Sequence, residues 1–137
     1  MVILLVASCT WEKTALLHTQ DENIQISLPK TTYSLTETIE LKISVIGKGV
    51  DLSAGGWCSS YFELRTGSGW ERADPCVLPD DPNLELMPSP RGRGTVEKLS
   101  LSIKNFGLKP GLYRYKLSYS TDSQNLFLYS PEFSIGD

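Results

Sequence analysis

The sequence predicts an all-β fold of about seven strands in two packed antiparallel sheets, and three observations predict it. Ile39, Leu41, Ile43 and Val45 alternate with Glu40, Lys42 and Ser44, so one face is apolar and the other wet. Leu108-Lys109-Pro110-Gly111-Leu112-Tyr113 is a tight reversal that runs straight into Arg114-Tyr115-Lys116-Leu117-Ser118-Tyr119, a period-two run with Tyr113, Tyr115, Leu117 and Tyr119 on one face. No segment carries the helical period over an ordinary helix length.

Ile24-Gln25-Ile26-Ser27-Leu28 alternates and reads as a first strand, ended by Pro29, which cannot donate within a ladder. Residues 32–38 read as a crossover with a polar bend. Ile39–Val45 is the second strand, closed by Gly47 and Gly49. Residues 57–65 form a third, with Cys58, Phe62 and Leu64 on one face. Gly67-Ser68-Gly69 then turns the chain into Trp70-Glu71-Arg72, a hairpin. The segment to Gly94 is a long loop whose Pro79, Pro82, Pro88 and Pro90 deny it a central ladder. Thr95–Ile103 resumes a strand with Leu99, Leu101 and Ile103 inward. After the Pro-Gly corner and its strand, Phe127, Tyr129, Phe133 and Ile135 line one face of the last strand, with Pro131 marking a bulge or an edge.

The totals exclude several functions. At 137 residues the chain has room for one core. Its formal charge is −3 with Lys and Arg spread along it, so no clustered basic face marks a nucleic-acid partner. No apolar run reaches the ~18 residues of a membrane span. One histidine and three cysteines leave little material for a metal site or a nucleophile–base pair. There is no Gly-x-Ser-x-Gly elbow, and adjacent Asp80 and Asp81 would face opposite ways in a strand. Asp74, Asp80, Asp81 and Glu85 lack the spacing of an oxygen-ligand loop for Ca²⁺. His18 has no His partner and reads as an exposed bystander. The expectation is a non-enzymatic domain without cofactor, a monomer, whose partner is a protein or a glycan.

Three features bear on that partner and on compartment. Cys58 and Cys76 lie in adjacent elements joined by a short hairpin and a Pro turn, which predicts a disulfide, the alternative being two free thiols in a reduced cytosol. Closing that loop would stabilise the domain by about 3 kcal/mol in the chain-entropy model. Trp57, Tyr61 and Trp70, with the Pro-rich loop, are candidates for an exposed patch, against the favoured alternative that Trp57 and Trp70 fill the core beneath that loop. Arg91 and Arg93, in Arg91-Gly92-Arg93-Gly94, extend the candidate patch towards phosphate or an acidic partner, against the favoured reading of a solvated turn.

At the start of the chain, Val6-Ala7-Ser8-Cys9 closes an apolar stretch and resembles the bacterial lipobox, although no Lys or Arg precedes that stretch. The resemblance implies a truncated lipoprotein signal over residues 1–9, lipidation at Cys9 as a membrane anchor, and an aperiodic tether over 10–23, where Leu16 and Leu17 could seed one helical turn. The alternative is a short buried strand with Cys9 as a small hydrophobe. Over residues 24–137 the pattern Tyr33-Ser34-Leu35, Trp57-Cys58, Gly69-Trp70, Cys76, Leu108-x-Pro110-Gly111-x-Tyr113 and Ser130-Pro131-Glu132-Phe133-Ser134-Ile135 resembles the immunoglobulin-like, Greek-key β-sandwich modules of small bacterial lipoproteins. A Tyr just past such a corner looks like the tyrosine corner of those sandwiches, whose phenol bonds back to upstream backbone. The resemblance implies an extracytoplasmic module of the cell envelope with an interaction or structural role. A looser likeness is to immunoglobulin-fold proteinase inhibitors of the bacterial intracellular type, which share the corner but give no inhibitory loop to match. The bridge of antibody domains is absent, because neither Ile39–Val45 nor Leu112–Tyr119 holds a Cys.

Overall fold

The computed structural model describes residues 17–52, 59–74 and 96–136. These residues are mostly strand, arranged in two sheets, so the all-β class holds. The strands are β1 (His18–Gln20), β2 (Ile24–Ser27), β3 (Thr32–Ser34), β4 (Thr38–Val45), β5 (Tyr61–Thr66), β6 (Gly69–Arg72), β7 (Val96–Ser102), β8 (Gly111–Ser120), β9 (Asn125–Tyr129) and β10 (Phe133–Gly136), with one helical turn α1 (Ile103–Phe106). The first sheet has the order β1-β2-β4-β7, and the second β3-β10-β8-β5-β6, with β9 also on β8. The chain changes sheet between β2 and β3, β3 and β4, β4 and β5, β6 and β7, and β7 and β8. All pairings are antiparallel except β3 on β10, where Ile135 lies opposite Tyr33.

The two inner faces differ in chemistry. The first sheet supplies Ile24, Ile26, Ile39, Leu41, Ile43, Leu99 and Leu101, all at most 1 % exposed. The second supplies Phe62, Tyr113, Tyr115, Leu117, Tyr119, Phe133 and Ile135. An aliphatic layer therefore meets an aromatic one. Phe62 sits at the centre, edge-on to Phe106, Tyr115 and Phe133 at ring separations of 5.3, 5.0 and 6.1 Å. Such edge-to-face pairs add to area burial about 0.5–1.5 kcal/mol each.

The corner is built as its residues require. Tyr113 Oη donates to the Lys109 carbonyl at 2.6 Å and accepts the Lys109 N–H at 3.0 Å. Just upstream, Ser102 caps α1 by accepting the Asn105 N–H, and Gly107 ends it at φ +67°. That left-handed value suits a residue without Cβ. Ile103, read from the sequence as the end of a strand, is instead the first residue of this turn.

Three further departures from the sequence reading have local causes. His18–Gln20, inside the segment read as a tether, is a strand, because Leu17 and the β1 residues pair with 25–28 and Thr19 Oγ1 donates to the Tyr129 carbonyl. Thr32–Ser34, read as part of a crossover, is a short edge strand on β10. The last strand is broken in two. β9 and β10 follow one another along the same edge of β8, and Ser130-Pro131-Glu132 bulges out between them. The extra residues change the facing of β9. Phe133 and Ile135 point inward as expected, but Phe127 is 50 % exposed and Tyr129 is half-buried on the outer face. Leu126 and Leu128 pack against the core in their place.

Candidate aromatic and cationic sheet face

The outer face of the second sheet follows from strand register. Lys116 lies opposite both Tyr61 of β5 and Tyr129 of β9. Glu63 lies opposite both Arg114 of β8 and Arg72 of β6, and Arg65 lies opposite Trp70. Because neighbours in register share a face, these side chains form one continuous surface, extended by Phe127 opposite Ser118.

Cations and rings interleave across it. The Arg114 guanidinium lies 4.2 Å from the Trp70 ring centre and 3.5 Å from that of Tyr129. Arg72 lies 4.2 Å from Tyr61 and Arg65 lies 5.6 Å from Trp70. Lys116 is 4.4 Å from Phe127 and 5.5 Å from Tyr61. Each such contact is worth about 0.5–1 kcal/mol when exposed and more when desolvated. Glu63, nearly buried among these described cations, accepts from Arg114 Nε at 2.7 Å. This charge-assisted bond fixes the guanidinium that bridges Trp70 and Tyr129.

The base of this face is held by Asp74, 8 % exposed at the end of the β5–β6 hairpin. Its Oδ1 accepts the Phe62 N–H at 3.0 Å, and its backbone carbonyl accepts from Arg72 Nε at 2.8 Å. Burial pushes the Asp74 carboxyl up to about 6, against the opposing effect of the Phe62 N–H. Burial likewise raises the Tyr115 phenol, and the Asp74 charge adds to it.

Of the residues singled out from sequence, Tyr61 and Trp70 lie together on this face, both half-buried. Trp70 is therefore not a core residue, which corrects the favoured sequence reading; its place opposite Arg65 directs it outward. Trp57, Arg91, Arg93, Cys9, Cys58 and Cys76 lie outside the described residues, as do Asp80, Asp81 and Glu85. Sequence reasoning missed Arg114, Lys116, Arg65, Arg72, Phe127 and Tyr129. The first two carried a signal, since they are the polar alternates of the Tyr113–Tyr119 run.

Elsewhere among the described residues the surface is less organised. A shallow groove of about 280 Å³ on the outer face of the first sheet is lined by Ser27, Leu28, Pro29, Glu40, Leu41, Lys42 and Lys98. Lys42 and Lys98 are directly opposite, a like-charge pair that lends no stability. His18 is exposed on β1. No group of three His, Cys, Asp or Glu able to hold a metal ion occurs among the described residues. No helix among them is long and apolar enough to cross a membrane. A scan of protein-family models finds no match to the chain, and a search of curated proteins finds no significant relative.

Proposed function

We propose that the chain is a non-enzymatic immunoglobulin-like module of the cell envelope that binds a protein or glycan through the outer face of its second sheet. The observation that carries this reading is the interleaved surface of Trp70, Arg114, Tyr129, Tyr61, Lys116 and Phe127. Aromatic rings and arginines are enriched among the side chains that dominate binding surfaces, the rings because they offer large contact area at low entropic cost. Catalysis would instead call for polar groups converging in a deep pocket.

The Greek-key, immunoglobulin-like part of the proposal is supported by connectivity. β2, β4 and β7 form one sheet, and β10, β8, β5 and β6 the other. The parallel β3–β10 pair sets an early strand beside the last one, and the phenol at the corner bonds back to Lys109.

The envelope part rests on Val6-Ala7-Ser8-Cys9 and on the pairing proposed for Cys58 and Cys76. Cys58 precedes Ser59 by one residue, and Cys76 follows Asp74 by two. The Ala73 N–H donates to the Phe62 carbonyl at 2.8 Å, so the chain enters and leaves the hairpin side by side.

Two experiments test the reading. Mass spectrometry of the protein purified from its host should find a diacylglyceryl group on Cys9 and a Cys58–Cys76 bridge; an unmodified Cys9 and two free thiols would remove the envelope assignment. Binding of the labelled protein to envelope preparations should be lost on Phe127→Ser with Lys116→Gln, and kept on Lys42→Gln on the other sheet. Equal binding by all three proteins would remove the face assignment.

A further inference from the structure

We propose that the occupant of this face is an anionic polysaccharide, a polymer of sugar rings carrying carboxylate or sulfate groups; the proposal rests on the face assignment above. Two properties of the surface favour that chemistry.

The first is charge. Among the described residues, Arg65 and Lys116 add positive charge to this face beyond the Arg114–Glu63 ion pair. The described part of the face is therefore cationic in a chain whose net charge is −3, and it attracts anions.

The second is the geometry of the cations. A cation lying over a ring is held by it: Arg65 lies against Trp70, and Lys116 against Phe127 and Tyr61, while Arg114 Nε is engaged by Glu63 and Arg72 Nε by the Asp74 carbonyl. Arg114 lies between two rings, and Arg72 and Lys116 each lie against one or more. The rings thus hold the long side chains in place before a ligand arrives, which lowers the ordering cost of pairing with it. On either side of Arg114 and Lys116 along β8, the exposed Leu112 and the half-exposed Phe127, opposite Ser118, offer apolar surface to the C–H faces of sugar rings.

An extended acidic peptide suits the face less well. Peptides gain affinity on sheets by adding to an open edge. The strands at the centre of this face, β5 and β8, are paired on both sides, so their main-chain groups are already used. Recognition there falls to side chains alone, and these provide stacking surface and cations in alternation.

The test uses the full chain and four probes: polygalacturonate, its fully methyl-esterified form, poly-glutamate, and vesicles of phosphatidylglycerol. Isothermal titration should show binding to polygalacturonate that weakens as salt is raised. Esterification should weaken it by roughly tenfold or more, a loss of about 1.4 kcal/mol per tenfold. Arg65→Gln with Lys116→Gln should weaken binding by a similar factor at an unchanged far-ultraviolet spectrum and melting temperature. Should that pair of changes disturb folding, Phe127→Ala alone, at an exposed position, should still reduce affinity. Equal binding to poly-glutamate or to the vesicles, equal binding to the esterified polymer, or no binding to any probe would each overturn the polysaccharide. If these fail while envelope binding still depends on Phe127 and Lys116, the polysaccharide is wrong and the face stands. If envelope binding is indifferent to them as well, both fall.

Discussion

Ser130 stands in for a strand carbonyl opposite Tyr115. Its Oγ accepts the Tyr115 N–H at 2.9 Å, and its own N–H donates to the Tyr115 carbonyl at 2.8 Å. The side chain thus keeps Tyr115 bonded while the ladder is interrupted between β9 and β10. Ser130 Oγ also donates to the Pro131 carbonyl at 2.9 Å, closing the bulge on itself. The outward placement of Phe127 and Tyr129 depends on this junction.

Ser130→Ala leaves the Tyr115 N–H without its acceptor at a buried site. The expected cost is about 1–3 kcal/mol. Chemical denaturation measures it, and amide exchange should show the Tyr115 N–H losing protection before those of β4. An unchanged midpoint with full protection at Tyr115 would mean that another group supports the bulge.

Tyr113→Phe removes both bonds to Lys109 while keeping the ring stacked on Phe133 at 6.0 Å. Lys109 is exposed, so water can recover part of the loss. A destabilisation of about 1–2 kcal/mol is expected, seen as a lower melting temperature at an unchanged fold. A loss near zero would show that the turn is set by Pro110 and Gly111 alone.

Much of this was legible in the sequence, and the failures share a cause. Period two placed Ile39–Val45 and Tyr113–Tyr119 with their buried residues correctly, because a residue on a regular strand has its face fixed by its neighbours. The corner was legible because Pro, Gly and Tyr each have one local role there. Phe127 and Tyr129 were misassigned because alternation was carried across Ser130-Pro131-Glu132, and a bulge resets it. Pro131 signals such a break but not how many residues it adds. The short strands β1 and β3 left almost no periodic signal over three residues each. Residue type alone names two of the four rings of the candidate face, Tyr61 and Trp70. Arg114 and Lys116 show in the sequence as polar alternates of one strand, but their meeting with Arg65 and Arg72, more than forty residues earlier, follows only from the pairing of β5, β6 and β8.

Asp74 should give the domain a distinctive pH dependence. In the folded protein its carboxyl is pushed up to about 6 from 3.8, mainly by burial. Between those values the folded state holds a proton that the unfolded chain has released. Stability from this group is therefore largest below its unfolded value and falls as pH rises towards 6. Asp74→Asn keeps an acceptor for the Phe62 N–H and removes the titration. Relative to this variant, the wild-type protein should lose about 1–3 kcal/mol between pH 4 and pH 7. Parallel stability profiles for the two proteins would contradict the burial argument.

The position of Phe127 offers the most direct check on the face itself. A photoreactive phenylalanine analogue can replace Phe127 on the second sheet or Lys42 on the first, both exposed. After irradiation in envelope preparations, covalent adducts should form from position 127, fail to form from position 42, and disappear when unlabelled wild-type protein is added in excess. Adducts from position 42 alone, or equal yields from both that excess protein does not reduce, would contradict the account.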